Sequence, residues 1–197
     1  MSHRQDVVCV ACTAYRPELD WLADQGWLRW TVRYIDSALH MYPGRLSAAI
    51  DEAVAEERAA GRRVLVLFGD CGGEVRCRSL AQVEHARCEN CAQALVGADV
   101  YQRLISERAC CLFHEWAVRW REVLGDIPGL GPELTAELVR ESHRKLVYLN
   151  TGVAPVPHEH LAACSAYFGL PVEVLAVTLD PLRLLLEQTE RAGEEDG

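Results

Sequence analysis

Six short apolar runs divide this chain of 197 residues, and stretches with helical patterning separate them. The runs cover residues 7–11, 28–35, 63–68, 110–113, 145–149 and 172–177. Strands alternating with helices predict βαβ units and parallel pairing, because a parallel strand needs a long crossover to return to the same edge. The expected architecture is α/β: an open, mostly parallel sheet flanked by helices, in a Rossmann-like three-layer arrangement. The length suits one domain over residues 1–190, with 191–197 as an acidic tail expected to fray.

The helical segments carry their own boundary signals. Arg16-Pro17-Glu18-Leu19 places proline where a first helical turn tolerates it, and Gly26 closes that helix. Residues 46–60 read as a crossover helix with Asp51, Glu52, Glu56, Glu57 and Arg58 mainly on one face, stopped by Gly61. Asn90 is a good N-cap for a short helix that opens with Cys91 and ends near Gly97. Between residues 116 and 124, Trp116 and Trp120 stand four apart, which puts both on one helical face, with core packing as the plain explanation. Further helices are expected over 133–143 and 161–168, and a last one begins at Asp180-Pro181.

Charge and composition narrow the function. A formal net charge of -9 argues against a sequence-independent nucleic-acid surface, which needs a basic stripe to neutralise phosphates. The first residues lead directly into a short strand without a secretory apolar stretch, and no run of membrane-spanning length follows. A cytoplasmic protein is expected. Nine cysteines in such a chain are expected to be mostly reduced, so metal binding, catalysis or simple burial must account for them. Gly-x-Gly-x-x-Gly, Gly-x-x-x-x-Gly-Lys-Ser/Thr and Gly-x-Ser-x-Gly are all absent.

Three thiols sit where strands end or a helix begins. Cys12 closes the first strand, Cys71 follows the third, and Cys91 opens a helix. Ligands in open α/β sheets bind outside the carboxyl ends of the strands, so these thiols are candidates for a metal or reactive site. Cys9 and Cys12 form a Cys-x-x-Cys pair, but inside a strand an odd spacing sends them to opposite faces. Gly72-Gly73 after Cys71 would let backbone approach a ligand. Cys91 at a helix N-terminus is expected to ionise readily. Cys71, Cys77, Cys88 and Cys91 fall close together, so a local four-cysteine zinc site competes with a dispersed one. His40, in a connection, could complete a three-cysteine, one-histidine set. His114 and Glu115 could serve as acid or base at the end of their strand. His158 and His160 read as surface residues, and Cys164 as a small core residue.

The motifs Cys12-x-x-x-Arg16-Pro17-Glu18-Leu19, Leu39-His40-x-x-Pro43-x-x-Leu46, Phe68-Gly69-x-Cys71-Gly72, Cys91-x-x-x-Leu95-x-Gly97 and Tyr148-x-x-Thr151-Gly152 occur in one order. In this the chain resembles the bacterial and archaeal family called domain of unknown function 1638, over about residues 7–187. The resemblance favours Cys12, His40, Cys71 and Cys91 over the local set, since Cys77 and Cys88 are not family positions. It also implies Arg, His and Asp shortly before the third cysteine, where this chain has Arg87 and then Glu89-Asn90. An amide at 90 cannot supply a carboxylate to orient a metal-bound thiolate. The family carries no settled activity. Its loose association with organisms rich in corrinoid methyl transfer is a hint about partners.

The expected function is that of a zinc protein with three thiolates and an open position for thiol or methyl/alkyl-transfer chemistry, a transferase or lyase. The partner would be a small-molecule substrate or a corrinoid methyl-transfer protein. A non-catalytic iron–sulfur or corrinoid-handling protein is the first alternative. A dithiol redox protein using Cys88 with Cys91, or Cys12 with Cys71, is the second.

Overall fold

The computed structural model describes residues 6–69, 77–125 and 127–195. Strands β1 (Val7–Cys12), β2 (Thr31–Ile35), β3 (Arg63–Leu67) and the two-residue β4 (Glu84–His85) form one sheet in the order β2-β1-β3-β4. Every pairing in it is parallel, with Ala11 opposite Tyr34 on one side and Leu67 on the other. β1 and β3 are apolar along nearly their whole length because central strands of a parallel sheet are covered on both faces. Helices α1 (Arg16–Asp24) and α2 (Pro43–Ala59) make the crossovers, each with proline in its first turn.

The parallel α/β reading holds, but the strands divide between two sheets. β5 (Ala109–Leu112), β6 (Lys145–Asn150) and β7 (Val172–Ala176) make a second parallel sheet in the order β5-β6-β7. Two consecutive helices, α3 (Cys91–Val96) and α4 (Ala98–Ser106), separate β4 from β5 in the chain. Gly97, at φ +80°, turns one into the other. The expected helix end at Gly97 is therefore also a beginning, and α4, with Tyr101 and Leu104 buried, was not anticipated.

The second sheet serves two cores through its pleat. Phe113, Val147 and Leu149 join the main core with β1 and β3, while Cys110, Leu112, Leu146 and Tyr148 belong to a smaller one with Cys164 and Phe168. Helices α5 (His114–Val118), α6 (Trp120–Val123), α7 (Pro132–Ser142) and α8 (His158–Phe168) complete this half. The helix expected across 116–124 is broken at Arg119, whose φ of -105° and ψ of 24° interrupt it. Trp116 and Trp120 consequently do not share a face. Trp116 packs on the main core, and Trp120 is buried in the smaller one against Tyr167 and Phe168.

The last helix, α9 (Asp180–Glu195), packs on α3, β3 and β4, with Leu182 and Leu186 in the main core. The acidic end expected to fray from residue 191 is helical as far as Glu195. Among the described residues, no helix is long and apolar enough to cross a membrane.

Candidate functional site

A cavity of about 330 Å³ opens outside the carboxyl ends of β1 and β3. The strand order reverses there, since β2 lies to one side of β1 and β3 to the other. Cys12, His40 and Cys91 all line it, together with Phe68, Phe113 and Trp116. Three of the four expected ligand positions therefore share one cavity. The fourth, Cys71, lies outside the described residues, as do Gly72 and Gly73. Among the described residues, no three His, Cys, Asp or Glu side chains gather closely enough to hold a metal ion.

Each of the three is held by its local backbone. Cys12 ends β1, and its sulfur accepts a hydrogen bond from the Ala14 amide at 3.5 Å as the chain enters a 3-10 turn. Cys91 begins α3, and Asn90 caps that helix by accepting from the Gln93 amide at 3.0 Å. The Asn90 side-chain amide also donates to the Tyr101 hydroxyl. Position 90 thus acts as a helix cap, which Asn performs as well as Asp. A Cβ on Gly69 would stand 2.2 Å from the Asn90 Cα, so the exit of β3 packs backbone to backbone on the start of the Cys91 helix. Only glycine permits that approach.

His40 lies in a 3-10 turn (Ser37–Met41), and its Nδ1 is 2.6 Å from the Ser37 carbonyl. A carbonyl oxygen only accepts, so Nδ1 carries the proton and the neutral ring keeps Nε2 as an acceptor. The imidazole stacks on Trp116 at 4.7 Å, with the planes 18° apart. The turn itself is pinned from both halves of the molecule. Glu115 accepts from the Ser37 hydroxyl at 2.7 Å, from Thr13 at 3.4 Å and from Arg119, while Arg119 also pairs with Asp36 at 3.0 Å. That guanidinium holds the Asp36 carboxyl below its ordinary range. Glu115 is thus a support of the site. Its neighbour His114 meets the Tyr148 hydroxyl at 3.2 Å, and burial pulls its pKa down.

Two more thiols, Cys110 and Cys111, line the same cavity. Burial raises Cys9, Cys110 and Cys164 to about 12, and Cys111 to about 11. Cys77 donates to the Ser47 carbonyl at 3.8 Å and Cys88 to the Phe68 carbonyl at 4.0 Å, so the two make separate contacts. Burial raises them to about 11 and about 12. The fully buried Tyr15 phenol is pushed far up, first by burial and then by the nearby thiols of Cys91, Cys88 and Cys12. Cys164 is fully buried as expected, and His158 and His160 are exposed.

Sequence reasoning missed His143. It follows the last turn of α7, lines the same cavity, and places its Nδ1 3.3 Å from the Val139 carbonyl. Burial lowers its pKa. One histidine at the end of an amphipathic helix carries no spacing signal, and only the packing brings it to the cavity.

A family model described as a protein of unknown function, DUF1638, matches residues 34–186. The match includes His40 and Cys91 and begins after Cys12, a narrower span than the resemblance suggested. No curated protein and no solved structure matches the chain.

Proposed function

Because the chain belongs to the DUF1638 family, whose description assigns no activity, we propose from the cavity itself that this is a metal-dependent small-molecule protein. Cys12, Cys71 and Cys91 are the proposed thiolate set for zinc, with His40 Nε2 at the fourth position or beside it. The supporting observation is that Cys12, Cys91 and His40 line one cavity at a strand-order reversal, with His40 fixed in the tautomer a metal or a donor can use. The Gly69 contact adds to this by bringing the end of β3, two residues before Cys71, onto the helix that begins at Cys91.

An ion held there would act as a Lewis acid, activating a substrate thiol or an alkyl acceptor in transferase or lyase chemistry. Around it the chain supplies a largely apolar wall that includes Phe68, Phe113 and Trp116. A dithiol reading through Cys88 and Cys91 is less well served, since burial holds the Cys88 thiol protonated at about 12.

Metal analysis after anaerobic purification tests the proposal. Stoichiometric zinc is expected in the wild type and in Cys164→Ser, with most of it lost in Cys12→Ser and Cys91→Ser. Equal metal in Cys91→Ser and wild type would overturn the assignment. Visible absorption from bound iron and sulfide would select a cluster in place of zinc.

A further inference from the structure

A second cavity of about 250 Å³ adjoins the first. His40, Leu124 and His143 line both, so these three side chains form a shared wall. Beyond them the second chamber is bounded largely by Ile127, Leu138 and Val139. Both imidazoles are tied through Nδ1 to a carbonyl of their own segment, at Ser37 and Val139, which fixes the rings and leaves each Nε2 as an acceptor. Among the described residues, neither chamber has Lys, Arg, Asp or Glu in its wall.

We propose that the two chambers are one bipartite binding site, with His40, Leu124 and His143 at its waist, for an elongated and uncharged organic ligand. Its soft or hydrogen-bonding head sits beside Cys12 and Cys91. Its apolar tail passes the two imidazoles and ends against Ile127, Leu138 and Val139. The tail chamber follows from its own lining, and only the head rests on the metal reading above. Phosphorylated and carboxylated ligands are disfavoured, because among the described residues no Lys or Arg lines either chamber to pair with a charge taken from water.

Calorimetric titration with n-alkanethiols and the matching n-alkanols, from ethyl to decyl, tests this on the protein as purified. Affinity is expected to rise roughly threefold to fourfold per methylene, the effect of burying one such group, and then stop once the second chamber is full. Leu138 is 42% exposed, so Leu138→Arg should leave folding intact, move that stop to a shorter chain and spare ethanethiol binding. Leu138→Trp, which fills space without charge, should do the same. Affinity independent of chain length, or octanoate binding as tightly as octanol, would overturn the proposal. Length dependence without any preference for thiols over alkanols would keep the tail chamber and remove the metal reading. A thiol preference without length dependence would do the reverse.

Discussion

The two parallel sheets bring cysteines to one cavity by different routes. In the first, the order β2-β1-β3-β4 reverses at β1, so the crossovers diverge and leave a crevice where Cys12 and Phe68 emerge. The second runs β5-β6-β7 in chain order, without a reversal. There Cys110 packs in an apolar core beside Leu112 and Cys164, with its thiol raised to about 12 by burial, and it also borders that same cavity, as Cys111 does. Neither the sheet a thiol belongs to nor Cys-x-x-Cys spacing decides which thiols reach the cavity: Cys12 lines it and its pair mate Cys9 does not, while Cys110 and Cys111 of the second sheet line it too.

Gly69→Ala should have the largest effect, because the added carbon meets Asn90 backbone rather than a movable side chain. A loss of about 3 kcal/mol is expected, at the upper end for single substitutions. It should come with faster alkylation of Cys91 and unchanged alkylation of Cys164 in the smaller core, read by mass spectrometry after denaturant titration. Equal change at both thiols would mean that the two halves respond as one.

The next effect is alkaline. Cys9 and Cys110 both reach about 12 when folded, against 9.0 for the ordinary thiol. The folded state keeps these protons while the unfolded chain releases them. Stability is therefore complete below pH 9 and falls as pH rises toward 12, by roughly 1.4 kcal/mol per pH unit for each such thiol. Urea unfolding at rising pH should show this slope, and Cys9→Ala and Cys110→Ala should each remove part of it. On the acid side the sign is reversed. His114 and His143 are lowered from 6.5, so their contribution is present above that value and is lost as pH falls below it.

The smallest effect is at the cap of α3. Asn90→Ala should cost about 1 kcal/mol, and Asn90→Asp almost nothing, measured as shifts in the denaturant midpoint. If Asp raised metal content as well as keeping the cap, position 90 would have an electrostatic role in the first sheet's cavity that nothing in the second sheet matches.

Much of this was legible because the residues themselves act locally. Continuous apolar runs located β1, β3 and β6, proline at the first turn located α1 and α2, and Asn90 located α3. What failed depended on partners distant in sequence. β4 is two residues that become a strand only by pairing with Leu65 and Val66. Trp116 and Trp120 look like one face until the chain breaks at Arg119. The motifs of the family resemblance pointed to Cys12, His40 and Cys91, which share a cavity, whereas His143 arrives there only through the packing of α7. The dispersed set is thus placed at one cavity in three of its four members, and the fourth stands outside the described residues.

The return of α9 onto β3 and β4 has a consequence for biosynthesis. Leu182 and Leu186 finish the core of a sheet whose strands leave the ribosome long before them. That early sheet must wait, its apolar flank uncovered, while all three strands of the later one are translated. Chaperone dependence and aggregation during synthesis should accordingly concentrate in the amino-terminal half, even though its strands are the first to be made.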